Sequence, residues 1–327
     1  MFSIGPYIIN SRLALAPMAG ISDKPFRSLC RRYGAGITFS EMVTCDQRLW
    51  NSTKSTWRLD SEGEAEPRII QIAGSDPLMM ARAAQMVAHN GAHIVDINMG
   101  CPAKKVCNKA AGAALLRDEK LVGRILDAVV QNTAIPITLK IRTGWDKTHK
   151  NAVAIAKLAE NSGVAALTIH GRTRACGFRE DAEYESIAEA KSCVKIPVIA
   201  NGDINSPELA QYVLDYSGAD AIMIGRAAQG RPWIFAQIEH YLNTGKHLPA
   251  PGLGEMSVLI KEHLAELSHH YGEFSGIQIA RKHVGWYLGQ VSQDRQPSRD
   301  FSRLCSLTEQ LAFIEKFFDA NQNPALS

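Results

Sequence analysis

The sequence predicts an α/β fold, namely a (β/α)₈ TIM barrel followed by a small all-helical C-terminal domain. In the first three quarters of the 327 residues, eight short apolar runs alternate with amphipathic stretches, and eight strand–helix units are the number that such a barrel contains. A Pro/Gly-rich break occupies 247–254, and after it apolar residues recur only at helical spacing. A barrel domain is therefore predicted over 1–246 and a helical domain over 254–327.

The eight apolar runs are nearly continuous, as parallel strands buried on both faces are. Strands are predicted over 13–18, 37–42, 69–73, 94–99, 137–141, 166–170, 198–201 and 221–225. Helices are predicted between them, for example over 76–90, 120–132, 150–162 and 206–217, and in the C-terminal domain over 256–271, 276–288 and 301–318. A doubly wound open sheet is the alternative fold, but no GxGxxG turn follows the first run.

Composition limits the class of protein before any motif is considered. Hydrophobic residues make up 46% and the net charge is +3, so bulk charge predicts neither nucleic-acid nor membrane binding. The seven cysteines form no CxxC pair, so we expect neither a disulfide framework nor a metal site. No signal-peptide pattern and no run of ~18 apolar residues is present, so we expect a cytoplasmic protein and no membrane contact. Nothing indicates an obligate protein partner, so we expect a monomer.

Polar and glycine residues stand where the predicted strands end. Barrel chemistry gathers at these ends, and loops after the last two strands often bind phosphate. Gly202, Gly225 and Arg226 therefore predict a phosphate site. Lys140 and His170 would face a developing negative charge, and Gln71 offers a donor and an acceptor to a flat pyrimidine edge. Together they predict a bound flavin mononucleotide, FMN.

Cys101 lies between Gly100 and Pro102 directly after the fourth predicted strand. Most thiols are inert and buried, but a loop over the barrel mouth would expose this one to a substrate. A thiol there can act as a general acid toward a developing carbanion or enolate.

Basic residues are concentrated in the loops on the same side of the predicted barrel. Lys104, Arg142 and Arg174 belong to this group, and a polyanionic substrate is the functional interpretation, although solvated surface is equally compatible with the distribution. Arg281 and Lys282 lie near Trp286 in a predicted helix, and a basic face with an aromatic residue suits single-stranded RNA, although such a face is more often part of the core with a solvated edge.

The chain resembles the tRNA-dihydrouridine synthase family, specifically its bacterial B-type, from Ile4 to Phe317. The motifs that carry the resemblance are APMAGISDKPFR, QIAGSDP, DINMGCPAKKV, TLKIRTGW, LTIHGRTR, VIANGDI, MIGRAAQGRPWIF and IARKHVGWYL. The resemblance implies an FMN-bound barrel and a helical tRNA-binding domain that reduce the C5=C6 bond of D-loop uridines with electrons from NADPH. It implies Cys101 as the acid that protonates C5, and Asn98 beside the target base. The implied FMN contacts are Pro17, Met18, Ala19, Gln71, Lys140, His170, Asn201, Gly202, Asp203, Gly225 and Arg226.

Two other functions remain as alternatives on the sequence alone. One is a small-molecule FMN oxidoreductase similar to the dihydroorotate dehydrogenases, for which the helical domain and the basic loops would have no purpose. The other is an RNA-binding module that has lost catalysis, which the presence of Cys101, Lys140 and His170 opposes.

Overall fold

In the computed structural model, which describes residues 1–322, nine parallel strands close into a barrel of eight positions behind an N-terminal hairpin, with two short strands sharing the second position. The strands in chain order are β1 (Phe2–Ile4), β2 (Tyr7–Ile9), β3 (Leu13–Leu15), β4 (Ile37–Thr38), β5 (Val43–Thr44), β6 (Ile69–Ala73), β7 (Ile94–Met99), β8 (Ile137–Arg142), β9 (Gly144–Asp146), β10 (His149–Lys150), β11 (Ala166–His170), β12 (Val198–Asn201) and β13 (Ala221–Ile224). The prediction of a TIM barrel is confirmed.

Closure of the sheet distinguishes the barrel from the open-sheet alternative. The last strand, β13, pairs in parallel with the first barrel strand, β3. A parallel bridge between Phe39 and Ile69 joins the end of β4 to β6, so the strands form a continuous ring. The doubly wound open sheet is therefore wrong for this chain.

Helices alternate with the strands and then continue alone to the end of the described chain. They are α1 (Lys24–Arg32), α2 (Thr53–Leu59), α3 (Pro77–His89), α4 (Lys104–Cys107), α5 (Glu119–Gln131), α6 (Ala152–Asn161), α7 (Glu185–Cys193), α8 (Pro207–Ser217), α9 (Ile234–Thr244), α10 (Leu253–Tyr271), α11 (Glu273–Val291), α12 (Gln296–Phe301) and α13 (Leu307–Gln322). The predicted helix starts are confirmed by their caps: Asp76 accepts from the amide of Met79 at 2.8 Å, and Ser206 accepts from that of Leu209 at 3.2 Å.

The single helix predicted over 301–318 is wrong, because the chain breaks between α12 and α13. Ser306 and Glu309 cap the start of α13 reciprocally. The Ser306 hydroxyl accepts from the Glu309 amide at 3.2 Å, and the Glu309 carboxylate accepts from the Ser306 amide at 3.1 Å. This is a capping box, and its S-x-x-E signature was visible in the sequence.

The second predicted strand is shorter than 37–42, because backbone pairing with β6 is interrupted after Ser40, whose amide still donates to the carbonyl of Ile69 at 3.1 Å. The Ser40 hydroxyl accepts from the amide of Gln71 at 2.9 Å, in the position of a ladder hydrogen bond. Pairing with the third barrel strand resumes at β5.

The hairpin β1–β2 was not predicted, and it covers the amino-terminal end of the barrel. Phe2, Ile4 and Ile9 are buried against the first residues of the barrel strands, among them Ile69 and Ile94. With this end filled by apolar side chains, access to the barrel interior is from the opposite end.

The helices after 253 pack against the barrel through α1. The hydroxyl of Tyr271 donates to Asp23 at 3.1 Å, and His263 and His283 are buried beside that carboxylate. Burial lowers the pKa of His263 to about 3, so the imidazole is neutral. Division into domains at 246 and 254 stays a prediction, and 323–327 lie outside the described residues. None of the helices in 1–322 has the length and apolarity that crossing a membrane requires.

Candidate active site

A cavity of about 870 Å³ opens at the carboxyl end of the barrel strands. Its lining brings together most of the side chains that the sequence singled out, although they come from distant parts of the chain. Those residues are Pro17, Met18, Ala19, Gln71, Asn98, Cys101, Lys140, Arg142, His170, Asn201, Gly202, Asp203, Gly225 and Arg226. A cavity of this size is in the range that holds a cofactor-sized ligand.

Lys140 projects from β8 into this cavity and is almost completely buried. Its ammonium donates to Asn201 Oδ1 at 2.9 Å, and the Asn201 amide donates to the carbonyl of Met223 at 2.8 Å. Burial lowers the pKa of Lys140 to about 8, and the nearby carboxylate of Asp96 opposes that shift. Near neutral pH the cavity therefore contains a buried cation that is close to losing its proton.

A chain of hydrogen bonds runs from Asp96 through Gln71 to Asn98 in the floor of the cavity. The side-chain amide of Gln71 donates to Asp96 Oδ2 at 2.6 Å, and the side-chain amide of Asn98 donates to Gln71 Oε1 at 2.8 Å. Thr138 donates to the other Asp96 oxygen at 2.7 Å. Burial raises the pKa of Asp96 to about 6, so at neutral pH it is ionised and accepts both bonds.

The same chain orients the loop that carries Cys101. Asn98 Oδ1 accepts from the backbone amides of Gly100 at 3.2 Å and of Cys101 at 3.0 Å. Cys101 is half-buried in the cavity lining, and burial raises the pKa of its thiol. A thiol with a raised pKa keeps its proton at neutral pH, which suits it to proton donation rather than to nucleophilic attack.

Cations paired with the Asp203 carboxylate lie on the opposite side of the cavity. Asp203 forms an ion pair with Arg172 and a second one with Arg226, whose Nη2 lies 2.9 Å from Asp203 Oδ1. Burial acts to raise the pKa of Asp203, but the hydrogen bonds from Arg172 and the Ala182 amide, together with the charges of Arg172 and Arg226, outweigh it, and the pKa lies below the usual range. Asp203 has a left-handed backbone with φ 51°, a strained conformation that is typical of functional loops.

His170 lies in the cavity among four cationic side chains. Burial and then the charge of Lys140 lower its pKa well below the usual value, as do the nearby arginines. The imidazole is therefore neutral, and it offers hydrogen bonds without adding charge.

The basic residues predicted to contact an anionic substrate are dispersed. Arg142 lines the cavity and is buried, with Nη1 donating to the carbonyls of Thr173 at 2.9 Å and Gly177 at 3.0 Å. Lys104 is exposed on α4, and Arg174 is half-buried outside the cavity lining. Arg281 and Lys282 lie on α11, also outside this lining.

Sequence reasoning missed two contributors to the site. Asp96 had a visible signal, because it is the one charged residue of the mostly apolar run 94–99. Phe178 had none: its exposed ring lies at the cavity mouth with the guanidinium carbon of Arg226 4.8 Å from the ring centroid.

A closed (β/α)₈ barrel with convergent polar side chains at the carboxyl end of its strands is the architecture of an enzyme. The family model described as "Dihydrouridine synthase (Dus)" matches residues 14–322. The chain therefore belongs to the dihydrouridine synthase family and is an enzyme of that family. This excludes the alternative of a module without catalysis.

Individual proteins agree with that assignment. The chain is 60% identical to the tRNA-dihydrouridine synthase B of Pseudomonas aeruginosa over 98% of this chain and 96% of that protein. It is 52% identical to the protein of the same name from Shewanella oneidensis over 97% of this chain and 98% of that protein.

Solved structures at low identity show the fold alone. Histamine dehydrogenase from Rhizobium sp. 4-9 superposes with a TM-score of 0.54 at 13% identity, covering 80% of this chain. This chain spans only 50% of that dehydrogenase. The Amycolatopsis orientalis BexX/CysO complex gives a TM-score of 0.51 at 16% identity over 77% of this chain and 98% of the matched one.

Proposed function

We propose that the chain reduces the C5=C6 bond of specific uridines in the tRNA D-loop to 5,6-dihydrouridine, with FMN as cofactor and NADPH as electron donor. The observation that carries the proposal is that Cys101, Lys140 and His170 line one cavity at the carboxyl end of the barrel. The names of the relatives, each a tRNA-dihydrouridine synthase B, supply the substrate class.

The volume of the cavity and the donors in its lining support FMN as the cofactor. Gly225 lines the cavity beside Ala16 and Met18, so its backbone can approach a ligand there. Arg226, with the backbone of Gly202 and Gly225, would hold the phosphate, as loops after the last two barrel strands commonly do. Asp203 would keep Arg226 in place through their ion pair.

The isoalloxazine ring would lie over the barrel mouth against the remaining cavity residues. Pro17, Met18 and Ala19 would contact one side of it. Gln71 would meet the pyrimidine edge with a fixed orientation, because Asp96 and Asn98 occupy one donor and one acceptor of its amide. Lys140 and the neutral His170 would stabilise negative charge at that edge.

A reduced flavin held by these residues would supply hydride for C6 of the uracil. This chain supplies the proton: Cys101 keeps it on Sγ at neutral pH and transfers it to C5 as negative charge develops there. Asn98 would lie beside the base and sets the loop through two backbone amides. The uracil must leave its stack to enter the cavity, which costs a few kcal/mol.

Positive side chains in and around the cavity would bind the RNA, with Arg142 in its lining and the others outside it. Lys104, Arg142, Arg174, Arg281 and Lys282 are the residues proposed for this role. We place the enzyme in the cytoplasm and expect it to act as a monomer without a metal.

The decisive experiment maps dihydrouridine in tRNA from cells with and without this protein. We expect particular D-loop positions to revert to uridine when the protein is absent. In a parallel assay, the purified enzyme should oxidise NADPH in the presence of unmodified tRNA and show no turnover with dihydroorotate or orotate. An unchanged tRNA map together with turnover of orotate would replace the proposal by the small-molecule alternative.

A further inference from the structure

Two guanidinium groups lie over one indole ring at the rim of the barrel, outside the cavity lining. The guanidinium carbon of Arg174 is 4.6 Å from the ring centroid of Trp145, and that of Arg117 is 5.0 Å from it. Each guanidinium is within the distance at which cation–π attraction contributes to stability.

Three different loops contribute these side chains, and each begins beside the candidate active site. Arg117 ends the 3₁₀ turn Gly112–Arg117, and the Ala113 amide in that turn donates to the carbonyl of Cys101 at 3.1 Å. Trp145 lies in β9, directly after the strand that carries Lys140. Arg174 follows β11, the strand that ends at His170.

Backbone contacts hold the loops of Trp145 and Arg174 in a fixed relation. The Arg174 amide donates to the carbonyl of Gly144 at 2.9 Å, and the Ala175 amide donates to that of Trp145 at 2.9 Å. Gly144 cannot be replaced here, because a Cβ would overlap the carbonyl oxygen of His149 in the β9–β10 hairpin. The positions of the ring and of Arg174 are therefore determined before any ligand arrives.

The two arginines differ from neighbouring cations in having no acidic partner. Lys147 pairs with Glu180 at 2.9 Å and Lys150 with Glu183 at 3.2 Å. Within residues 1–322, neither Arg117 nor Arg174 forms a salt bridge. Arg117 is exposed, while Arg174 is half-buried with its Nε enclosed and unpaired among the described residues.

We propose that Arg117, Trp145 and Arg174 form a clamp for the phosphodiester backbone of the RNA strand that carries the target uridine. The proposal rests on the proposed function and adds Arg117 and Trp145 to its substrate contacts. Stacking uses the face of a guanidinium and leaves its terminal N–H groups free for contact with phosphate oxygens, which for Arg174 means the two Nη groups because its Nε is enclosed. Because two guanidinium groups cover the indole, its role is to hold the arginines rather than to stack on a base.

The position of the clamp favours RNA backbone over a small ligand. A nucleotide whose base enters the cavity remains joined to its neighbours on both sides, so the strand must continue across the rim. The clamp lies on that rim, connected to the Cys101 loop by the turn that ends at Arg117.

The test measures the affinity for unmodified tRNA and its salt dependence in the FMN-loaded enzyme, without turnover. Arg117→Ala and Arg174→Ala should each weaken binding about tenfold, as removal of a charge-assisted hydrogen bond does. Each should lower the log–log salt slope by roughly 0.7–0.9. Trp145→Ala should weaken binding although both charges remain, and Trp145→Phe should restore part of the affinity. Arg124→Ala, on the exposed face of α5, is the matched control and should change nothing.

Several outcomes would overturn the clamp while leaving the proposed function intact. One is an unchanged tRNA affinity and salt slope in folded Arg117→Ala and Arg174→Ala. Another is a raised KM for NADPH in place of weaker tRNA binding, which would assign the arginines to the cofactor's phosphate. If an alanine variant does not fold, Arg117→Lys and Arg174→Lys are tested in its place. Because lysine keeps the charge but not the planar guanidinium, the clamp then predicts weaker tRNA binding with an unchanged salt slope. Failure of the wild-type enzyme to form dihydrouridine would instead contradict the proposed function.

Discussion

Lys140 and Asn201 are joined by a hydrogen bond of 2.9 Å that crosses over β11, because their strands are not neighbours in the sheet. The bond fixes the ammonium group at the centre of the barrel mouth. It also leaves the remaining two ammonium hydrogens available to a ligand in the cavity. The chemistry of this position depends on whether Lys140 carries its proton.

We expect uridine reduction to fall as pH rises through about 8, the pKa to which burial lowers Lys140. Above that pH the folded protein holds Lys140 neutral, and it no longer stabilises developing negative charge. Lys140→Met should lower turnover by about 10²–10³-fold, as removal of one stabilising donor does. Its residual activity should lack the decline near pH 8. Rapid-reaction kinetics across pH would test this, and an identical decline in the variant would assign the titration to another group.

Asp96→Asn should change the pH dependence of stability in a specific direction. The folded pKa of Asp96 is about 6 against an ordinary value of 3.8, so the folded state binds the proton more tightly than the unfolded chain. The stability contributed by that proton is present below pH 4 and is lost as pH rises to 6. A shift of this size corresponds to about 3 kcal/mol.

Asparagine resembles the protonated carboxyl and cannot lose a proton, so the variant should lack this contribution to the slope. Burial also raises the pKa of Asp23 to about 6, and in the variant Asp23 should still make its own contribution to the pH dependence of stability. Urea unfolding at pH 4.5 and pH 7 would measure the difference. The idea fails if wild type and variant lose the same stability between the two values.

The sequence predicted the features that depend on the types of residue at nearby positions in the chain. Strand-end residues such as Gln71 and Asn201 could be assigned to one rim, because parallel strands of a barrel end on the same side. The hairpin β1–β2 was missed because its short strands show no repeat and are stabilised by burial of Phe2 and Ile4 against the barrel. Side-chain hydrogen bonds between neighbouring strands, such as the one from Gln71 to Asp96, depend on the strand register and could not be derived from sequence spacing alone.

Cys101→Ala should separate proton donation from binding. FMN content and NADPH oxidation by oxygen should remain normal, because the thiol takes no part in either. Dihydrouridine formation should fall by about 10²–10⁴-fold, the usual contribution of a general acid. Cys101→Ser, which keeps a polar hydrogen but is a weaker acid, should lie closer to the alanine variant than to wild type. Unchanged turnover on tRNA would assign the proton to another group or to water.

Arg226→Ala should release FMN on dilution. A charge-assisted bond to phosphate contributes roughly 1.5–3 kcal/mol, and removal of Arg226 also leaves Asp203 with one ion pair fewer. Flavin absorbance after gel filtration would measure the release, with Arg124→Ala as the control for an exposed arginine on α5. Full flavin retention in the variant would show that the phosphate binds elsewhere.

Arg281 and Lys282 test whether the helical region binds RNA. Arg281 Nη2 donates weakly to the carbonyl of Leu304 at 3.4 Å, and its Nε is buried and unpaired among residues 1–322. Lys282 is half-buried, with Nζ 3.5 Å from where a Cβ of Gly20 would lie, and burial lowers its pKa. Neither cation forms a salt bridge within the described chain, so no carboxylate there is paired with the positive charge of either.

Replacing both residues with Ala should weaken tRNA binding and lower the salt slope by roughly 0.7–0.9 for each phosphate that the variant no longer neutralises. Flavin reduction by NADPH should stay the same, and Lys316→Ala on the exposed face of α13 should leave tRNA binding unchanged. The single variants distinguish the two residues, because Lys282 lies against the loop of Met18 and Ala19, whereas Arg281 does not. A reduced affinity for FMN in Lys282→Ala, with a normal salt slope, would assign that lysine to support of the cavity loop. Unchanged tRNA affinity and slope in a folded double variant would confine RNA binding to the barrel rim around Lys104 and Arg174.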